Sequence, residues 1–533
     1  MIQRSSFLLA AVSAIALVAP GFAQTVPPTP SQPAQSAEQV PPPSQAQIAA
    51  TGPLSTLREA LVKAYNGNPT LSGARAQLRA TDENVPIARA AGLPSIGSTV
   101  DFDNNLTSDA NSLASPDRTL RAWVNLTVPL FRGGLVRNSM RAAERRVLAA
   151  REGLRGTESD LFTDVVSVYM DVIRDESIVQ LNQQNVRVLE VNLQATQDRF
   201  EVGDLTRTDV AQSEARLAIA RGQLRSAEAG LISSRENYVR LVGDAPGTLE
   251  PPPPLPNLPA APEPAVEVAL AENPNLGAAR RSAEASRYDV GVARSSRLPR
   301  ISAIAGGNYT NYLGSLGDDT GANIGQSGTA ASAGLSLTLP LFQGGEPAAR
   351  VRQAQALQSQ AIEQTTETER AVIANVRAAY SGWRSALAVI ESSQVAVDAN
   401  RLSLEGVRAE NSVGNRTILD ILNAEQELLN SQVTLVTARR DAYVAGFALL
   451  AAMGRAEAQD LGLDGGPLYD PVANYNRVRG RIWDWGDDPT PTAIAPPTTG
   501  SRAQTAIVGP LEDPALDRPV DTGPYDPAVT TTP

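Results

Sequence analysis

The phrase "LTVPLFRGG" occupies residues 126–134, and "LTLPLFQGG" occupies residues 337–345. Seven of the nine positions are identical, and the second phrase starts 211 positions after the first, since 337 minus 126 is 211. A nine-residue phrase that recurs almost unchanged indicates an internal repeat. Other matching residues keep the same separation: Tyr169 and Tyr380, Asp209 and Asp420, and Gly243 and Gly454.

Nearer the N-terminus the matching residues are 205 positions apart, as Asn68 and Asn273 show (273 minus 68). Leu93 and Leu298 keep this shorter separation. One loop that is six residues longer in the second copy accounts for the change from 205 to 211. The chain is therefore predicted to contain two copies of one structural unit. The predicted parts are a first repeat at residues 54–245, a proline-rich connector at 246–264 and a second repeat at 265–456.

Composition excludes most catalytic sites. The 533 residues include no histidine and no cysteine, which removes the usual zinc sites, cysteine nucleophiles and Ser-His-Asp triads. Lys63 is the only lysine and lies outside any glycine-rich loop, so a phosphate-binding P-loop is absent. The net charge of -11 does not favour nucleic-acid binding. We predict no enzyme activity, catalytic residue, cofactor or metal site, although a hydrolase that uses only carboxylates remains an alternative.

The N-terminus has the pattern of an export signal. Arg4 precedes an apolar run at residues 7–19, and small residues precede a predicted cleavage point before Gln24. The run is too short to span a bilayer, so residues 1–23 are predicted to be a signal peptide. Residues 24–53 are rich in Pro and Gln and are predicted to be disordered. Since the chain has no cysteine, a lipid anchor on a mature N-terminal cysteine is excluded.

Two segments alternate apolar and polar residues with the period of a β-strand, at residues 120–130 and 331–341. Each has a predicted hairpin partner upstream, at residues 95–106 and 301–313. About ten residues is the length that a tilted transmembrane strand needs. The alternative is a pair of half-buried hairpins in a soluble domain.

Long helices follow both repeated phrases. A helix of about 65 residues is roughly 100 Å long, and each is predicted to turn back at a Val-Gly pair, where Gly203 and Gly414 end the helix. Mainly α structure is therefore expected, with shorter helices before the strands. The predicted helices lie at 54–90, 135–201, 205–242, 265–297, 347–410 and 417–453.

The repeated phrase lies where a strand passes into a long helix. Four strands in one chain would leave two unpaired edges, at several kcal/mol for each unpaired group in lipid, so oligomerisation is expected to close the sheet. The phrase itself is predicted to be a structural joint, in which proline ends strand pairing, phenylalanine lies at the membrane boundary and glycines let the chain turn. The joint residues are Pro129, Phe131, Gly133 and Gly134 in the first copy and Pro340, Phe342, Gly344 and Gly345 in the second.

The order of elements in both copies, with "SVGNRTILDILNAEQELLN" at residues 412–430, resembles the TolC family of outer-membrane channel proteins over residues 54–454. The resemblance implies a homotrimer whose twelve strands form one transmembrane β-barrel on an α-helical tunnel, with most of the chain in the periplasm of a Gram-negative cell. It also implies export through a periplasmic adaptor and an inner-membrane ABC transporter or RND pump. Outer-membrane lipid is the remaining implied partner, and nucleic acid is not one.

The same resemblance implies a gate at the periplasmic mouth. Thr208 and Asp209 match the positions that bond to an arginine matched by Arg416, and Asp420 matches an acidic ring at the mouth. Gly203 and Gly414 would mark the tips where the adaptor docks. Each gate residue could instead be a solvated helix cap. The sequence departs from the family at two positions, Asn411 for a latch tyrosine and Asn423 for a second ring aspartate.

The C-terminal region is predicted to divide into a partly ordered segment at 457–487 and a disordered tail at 488–533. Trp483 and Trp485 are predicted to pack rather than to bind a partner. The phrase "YDPV" at residues 469–472 is similar to type I secretion members, which favours protein secretion through an ABC transporter. The alternatives are the outer component of a tripartite multidrug pump and, less favoured, a structural periplasmic coiled-coil protein, which would not explain the strands.

Overall fold

A computed structural model describes residues 55–106, 116–315, 325–463 and 468–508. All of them belong to one contact unit, Ala49–Pro533. The predicted signal peptide at 1–23, the predicted disordered segment at 24–53 and the last part of the predicted tail, from 509 onward, lie outside the described residues.

The two copies follow the same order of helices and strands. The first contains α1 (Leu57–Gly67), α2 (Pro69–Asp82), α3 (Asn84–Ala90), β1 (Ser95–Asn104), β2 (Arg118–Phe131), α4 (Leu135–Glu201) and α5 (Arg207–Val242). The second contains α6 (Pro262–Glu272), α7 (Pro274–Ser295), β3 (Arg300–Asn311), β4 (Ser327–Thr338), α8 (Glu346–Ser412) and α9 (Ile418–Met453), and α10 (Ala473–Val478) follows.

Each predicted helix before the strands is interrupted at an Asn-Pro pair. The Asn68 side chain accepts a hydrogen bond from the Thr70 amide at 2.8 Å, and the Asn273 side chain accepts one from the Asn275 amide at 3.0 Å. Proline follows each asparagine at the start of the next helix, where its missing N–H costs nothing but where it cannot continue the preceding helix. The expectation of one continuous helix in each copy was therefore wrong.

The long helices agree with the sequence. α4 and α8 each contain 67 residues, which makes each about 100 Å long. α4 has the bounds that the sequence predicted, and α8 extends one residue earlier and two residues later than predicted. Within the described parts of the chain, no helix is both long and apolar enough to cross a membrane.

The four strands form one antiparallel sheet in the order β1-β2-β3-β4, so the contact between β2 and β3 joins the two copies. β4 ends at Thr338, three residues before the predicted strand end at 341 and two residues before Pro340, which agrees with the expectation that proline ends strand pairing. The matching expectation for Pro129 was wrong, because β2 continues through it to Phe131 and pairs it with Ser302. The pairing shifts register between Pro129 and Phe131, and such an irregularity accommodates a residue that has no N–H to donate.

Burial differs strongly between the two copies. α4 packs against α7 and α9 of the second copy as well as α2 and α5 of the first, whereas α8 packs against α9, α7 and α6. Fully buried side chains such as Phe162 and Tyr169 lie on α4, while α8 leaves Leu357, Val395 and Leu402 exposed. The second copy therefore lacks, within one chain, the neighbours that cover the first.

Repeat-related tyrosines hold the chain before the first helix of each copy. The Tyr169 hydroxyl lies 2.6 Å from the Glu250 carbonyl and 3.0 Å from the Ser55 carbonyl. The Tyr380 hydroxyl donates to the Ala260 carbonyl at 2.7 Å. Ser55 and Ala260 are 205 positions apart (260 minus 55), so the shorter repeat spacing extends to individual contacts.

Tyr169→Phe is expected to lower the free energy of unfolding by about 1–3 kcal/mol, because the part-buried Glu250 carbonyl loses its hydroxyl donor, whereas the Ser55 carbonyl keeps the Glu250 amide. Tyr380→Phe is the matched control and is expected to cost less, since water can reach the Ala260 carbonyl. Thermal unfolding of both purified variants, followed by circular dichroism, measures the difference. Equal losses would contradict the assigned role of Tyr169.

Part of the predicted tail has fixed contacts. Residues 488–508 contain no helix or strand, yet the Arg235 guanidinium donates to the carbonyls of Thr505 and Ile507. The Gln504 backbone amide donates to the Glu236 carboxylate at 2.9 Å. Contacts with the helices therefore continue beyond the division predicted at residue 488, because side chains of α5 bind the backbone of the tail.

Candidate functional site at the hairpin tips

The two long helical hairpins turn with the same backbone geometry. Gly203 has φ of 84° and Gly414 has φ of 81°, values in the left-handed region that glycine adopts without strain. The Gly203 amide donates to the Phe200 carbonyl at 2.9 Å, and the Gly414 amide donates to the Asn411 carbonyl at 3.0 Å. These bonds satisfy carbonyls at the ends of α4 and α8.

A capping box begins the returning helix at each tip. In α5, the Thr206 hydroxyl accepts from the Asp209 amide at 3.3 Å, and the Asp209 carboxylate accepts from the Thr206 amide at 2.9 Å. Thr417 and Asp420 make the same pair of bonds at 3.3 and 2.9 Å. The structural role of Asp209 and Asp420 is therefore to cap the N-termini of α5 and α9.

These bonds lower the pKa of both carboxyl groups. Hydrogen bonds from Thr206 lower the pKa of Asp209, and hydrogen bonds from Thr417, with a smaller effect of the Arg416 charge, lower the pKa of Asp420. A carboxyl whose pKa is lower in the folded state stabilises the fold above its unfolded pKa. That contribution is lost as pH falls through the folded pKa. Because the pKa of each carboxyl group is lowered, both caps are charged at neutral pH.

Arg416 bonds within its own tip. Its Nε donates to the Glu410 carboxylate at 2.7 Å, and this bond raises the pKa of Arg416. Asn411, which the family resemblance places at the position of a latch tyrosine, donates to the Arg416 carbonyl at 2.7 Å. In the described part of the single chain, no hydrogen bond or ion pair joins Arg416 to Thr208 or Asp209. The Arg416–Asp209 link therefore stays a prediction about contacts between chains.

Asn423 lies one helical turn beyond Asp420 and contacts the other copy. Its side-chain oxygen accepts a hydrogen bond from Arg216 Nη2 at 2.7 Å, which joins α9 to α5. From the sequence, Asn423 was identified only as a replacement for a second ring aspartate. In the structure it connects the two hairpins near their tips.

Two charge clusters were not found from the sequence. Glu425 is only 8% exposed and pairs with Arg408 across the second hairpin. Farther from the tip, Arg440 of α9 donates to Asp171 of α4 at 2.9 Å and to Ser167 at 2.7 Å. Charged residues on long helices have the same spacing whether they are solvated or paired, so no sequence pattern distinguished these residues.

Each tip also exposes an apolar side chain beside its glycine. Val202 is 80% exposed and Val413 is 70% exposed. Both stand between charged residues, with Arg199 paired to Asp204 at the first tip as Arg416 is paired to Glu410 at the second. Each tip therefore presents one exposed apolar side chain framed by an ion pair.

Comparison with known proteins gives the same organisation in two parts. The family model for outer membrane efflux proteins matches residues 60–244 and 265–455. The chain is 34% identical over 425 residues to the outer membrane efflux protein BepC of Brucella suis biovar 1 (strain 1330), which covers 80% of this chain and 90% of BepC. It is 30% identical over 325 residues to the alkaline protease secretion protein AprF of Pseudomonas aeruginosa, over 60% of this chain and 66% of AprF.

Solved structures share the fold at low sequence identity. The Campylobacter jejuni CmeC outer membrane channel superposes with a TM-score of 0.66 at 17% identity, over 80% of this chain and 89% of that structure. The family match covers both repeats, whose joints, hairpins and capped tips are described above. This chain therefore belongs to the outer membrane efflux protein family, the TolC family of outer-membrane channels.

Proposed function

We propose that three copies of this chain form an exit channel across the outer membrane and the periplasm. The observation that carries the proposal is a difference between the two joints. A methyl group added at Gly133 would lie 2.7 Å from Leu298 Cβ and 2.9 Å from the Ser295 carbonyl of the second copy. The same addition at Gly344, the repeat equivalent, meets nothing within 4 Å.

The repeat identifies what should cover the second joint. Leu298 and Ser295 correspond to Leu93 and Ala90 at the spacing of 205 (298 minus 93, 295 minus 90). Leu93 and Ala90 of the same chain adjoin the first joint, where Arg132 donates to the Ala91 carbonyl at 2.5 Å. A second copy of the chain would supply Leu93 and Ala90 to Gly344. The site is thus incomplete without a neighbouring copy.

The sheet supports the same assembly. β1 and β4 each pair with one strand only, and unpaired edges in lipid cost several kcal/mol for each group. Pairing β4 of one chain with β1 of the next removes both edges. Three chains, the number that the family resemblance implies, close a ring of twelve strands.

The channel depends on partners for energy. The 533-residue sequence holds no P-loop, so an inner-membrane transporter would drive export. A periplasmic adaptor would join that transporter to the tips, where Val202 and Val413 are exposed beside Gly203 and Gly414. Apolar contacts around these turns would supply the docking energy.

The gate is proposed at the same end. In the closed trimer, Arg416 of one chain would leave or share Glu410 and bond to Thr208 and Asp209 of its neighbour, a charge-assisted link across the mouth. The carboxylate of Asp420 would add negative charge there. Because Asn411 and Asn423 carry neutral amide side chains, they add no charge to the mouth, and both bond to protein groups in their own chain.

Arg416→Ser is expected to raise single-channel conductance in a planar bilayer, because the link that narrows the mouth is removed. Arg199→Ser is the matched control. It removes the ion pair with Asp204 at the first tip, which measures 2.9 Å, and is expected to leave conductance unchanged. Conductance that stays the same in Arg416→Ser, or rises equally in both variants, would contradict the gate assignment.

For cargo we assign protein secretion, in which an ABC transporter feeds the channel, on the similarity of the "YDPV" segment to type I secretion members. The second candidate is efflux of small molecules. It is favoured by BepC, which is named as an efflux protein and matches 80% of this chain, against the 60% matched by the secretion protein AprF.

The secreted proteins of a strain that lacks this gene should be compared with those of its parent. Loss of one or a few abundant extracellular proteins, restored by the intact gene, is expected for protein secretion. An unchanged set of secreted proteins, together with increased accumulation of toxic small molecules inside the cell, would replace secretion with efflux.

A further inference from the structure

The C-terminal segment carries an exposed loop that neither the joint nor the gate uses. Asp488 closes it by accepting hydrogen bonds from Arg477 at 2.7 Å and from Arg481 at 3.2 Å. We call residues 481–488 the tryptophan loop. Trp483 is 76% exposed and Trp485 is 86% exposed, so the expectation that this pair packs against the protein was wrong.

The loop is attached to an ordered part of the protein. Val478 at the end of α10 is fully buried, and Tyr475 packs against Val85 of α3 and Ala143 of α4. Asn474 donates to the Asp82 carboxylate at 2.8 Å. These contacts fix the position from which the loop projects, so its exposed side chains keep a defined place on the surface.

That position is next to the joint between helices and sheet. The Arg89 guanidinium donates to the Arg479 carbonyl at 3.1 Å, and Arg89 is the penultimate residue of α3. Only residues 91–94 separate α3 from β1. A methyl group at Gly92 would lie 3.0 Å from Val136 at the start of α4. The connection from α3 to β1 and the joint from β2 to α4 therefore lie side by side.

Distances along α4 give the position of the tryptophan loop relative to the sheet. Ala143 follows Leu135, the first residue of α4, by eight positions, which corresponds to about 12 Å. Arg89 lies nearer the sheet than the α10 contacts, because it is closer to the end of α3. Trp485 follows Arg479 by six positions (485 minus 479), which span at most about 20 Å, so Trp485 can reach the headgroup layer that borders the membrane-spanning sheet.

The side chains of the loop suit that layer. Tryptophan concentrates at membrane interfaces, where its ring is apolar and its N–H finds a polar partner. Arg89 and Arg479 pair with no carboxylate among residues 55–106, 116–315, 325–463 and 468–508. Arginine binds phosphate in a two-point geometry, and phosphate is the anionic group of every glycerophospholipid headgroup.

We propose that the tryptophan loop is a membrane-interface anchor that binds phospholipid headgroups of the periplasmic leaflet. Trp483 and Trp485 insert beside the sheet, with Arg89 and Arg479 near lipid phosphates. Since the chain has no cysteine to carry a lipid, the loop would give it a second attachment to the bilayer in addition to the strands. The inference rests on the outer-membrane location of the sheet.

The four tryptophans of the chain allow an internal test of depth. The full-length protein would be inserted into phosphatidylethanolamine-phosphatidylglycerol vesicles that contain lipids brominated near the headgroup end of the acyl chain. Three versions would be compared, with the remaining tryptophans replaced by phenylalanine: Trp483 and Trp485 together, Trp123 alone in β2, and Trp383 alone in α8.

The loop tryptophans are expected to lose emission in brominated lipid as Trp123 does and to shift to shorter wavelength, while Trp383 stays unchanged. Loss of Trp123 emission without loss from the loop would overturn the anchor but leave insertion intact. Failure of Trp123 itself to respond would instead contradict membrane insertion of the sheet. Loop emission that shifts in ordinary vesicles without bromine quenching would identify a neighbouring copy as the occupant and would also overturn the anchor.

Substitution of the anchor supplies an independent readout. Trp483→Ala with Trp485→Ala should preserve the trimer, because both rings are exposed, and should reduce co-flotation of the detergent-refolded, uninserted protein with vesicles of the same lipids. Arg89→Gln should make the remaining binding less sensitive to salt, since phosphate contacts are screened. Unchanged flotation in the double variant would contradict the proposal.

Discussion

Gly344→Ala is expected to prevent assembly of the trimer while leaving the single chain folded. The residue has φ of 58°, so alanine costs about 1 kcal/mol of backbone strain. In the assembled protein its methyl group would meet Leu93 and Ala90 of the neighbour as closely as a methyl at Gly133 meets Leu298, at 2.7 Å. Overpacking of this kind costs about 1–3 kcal/mol at each contact.

Three such contacts occur in a trimer, so the total cost is about 6 kcal/mol and the association constant falls about 10⁴-fold. Analytical ultracentrifugation of the detergent-solubilised protein measures the loss. Gly345→Ala is the matched control. It has φ of 83° and the same open surroundings, and its repeat equivalent Gly134 has only the Asn138 side chain nearby, at 3.6 Å. Trimers of normal stability in Gly344→Ala would disprove the proposed neighbour.

Gly454→Ala is expected to destabilise the chain itself. Gly454 ends α9 with φ of 80°, and an added methyl would lie 2.6 Å from the Glu272 carbonyl oxygen. That backbone cannot easily move. The Glu272 carboxylate is bonded to Arg455 at 2.8 Å, and the adjacent Asn273 side chain donates to the Ala452 carbonyl at 2.9 Å. Strain and overpacking together are expected to lower the free energy of unfolding by about 2–5 kcal/mol.

Gly243→Ala provides the comparison within the same molecule. Gly243 is the repeat equivalent and has φ of 94°, but nothing lies within 4 Å of an added methyl. Only the backbone strain of about 1–2 kcal/mol is expected there. Thermal unfolding of the two variants, followed by far-ultraviolet circular dichroism, separates the strain from the contact. Similar losses would show that the Glu272 backbone relaxes.

The repeat illustrates how far a sequence can be taken. Gly203 and Gly414 were predicted to end the long helices, and the structure gives both a left-handed conformation. The strands were predicted from their alternation, and the structure pairs them into one sheet. The Asn-Pro interruptions at Asn68 and Asn273 were missed as helix boundaries, although both are local signals that the sequence contains.

The candidate site was harder to predict from the sequence than the fold. Asp209 and Asp420 were predicted at the mouth by resemblance, and the structure explains them first as capping-box residues. Arg416 was predicted to bond to Asp209, which stays a prediction about contacts between chains, and within one chain it bonds to Glu410. Capping, ion pairing and gating use the same residue types at a helix start, so spacing could not separate them.

The sequence by itself determined the two-copy organisation, the lengths of α4 and α8, the strands and the tips, because periodicity and glycine turns act over a few neighbouring residues. Only the tertiary structure decided that α4 is covered and α8 is not, that Glu425 is buried and pairs with Arg408, and that Trp483 and Trp485 face outward. These outcomes depend on which distant segments meet. Contacts between distant segments determine burial and charge pairing, and these contacts leave no periodic pattern along the chain.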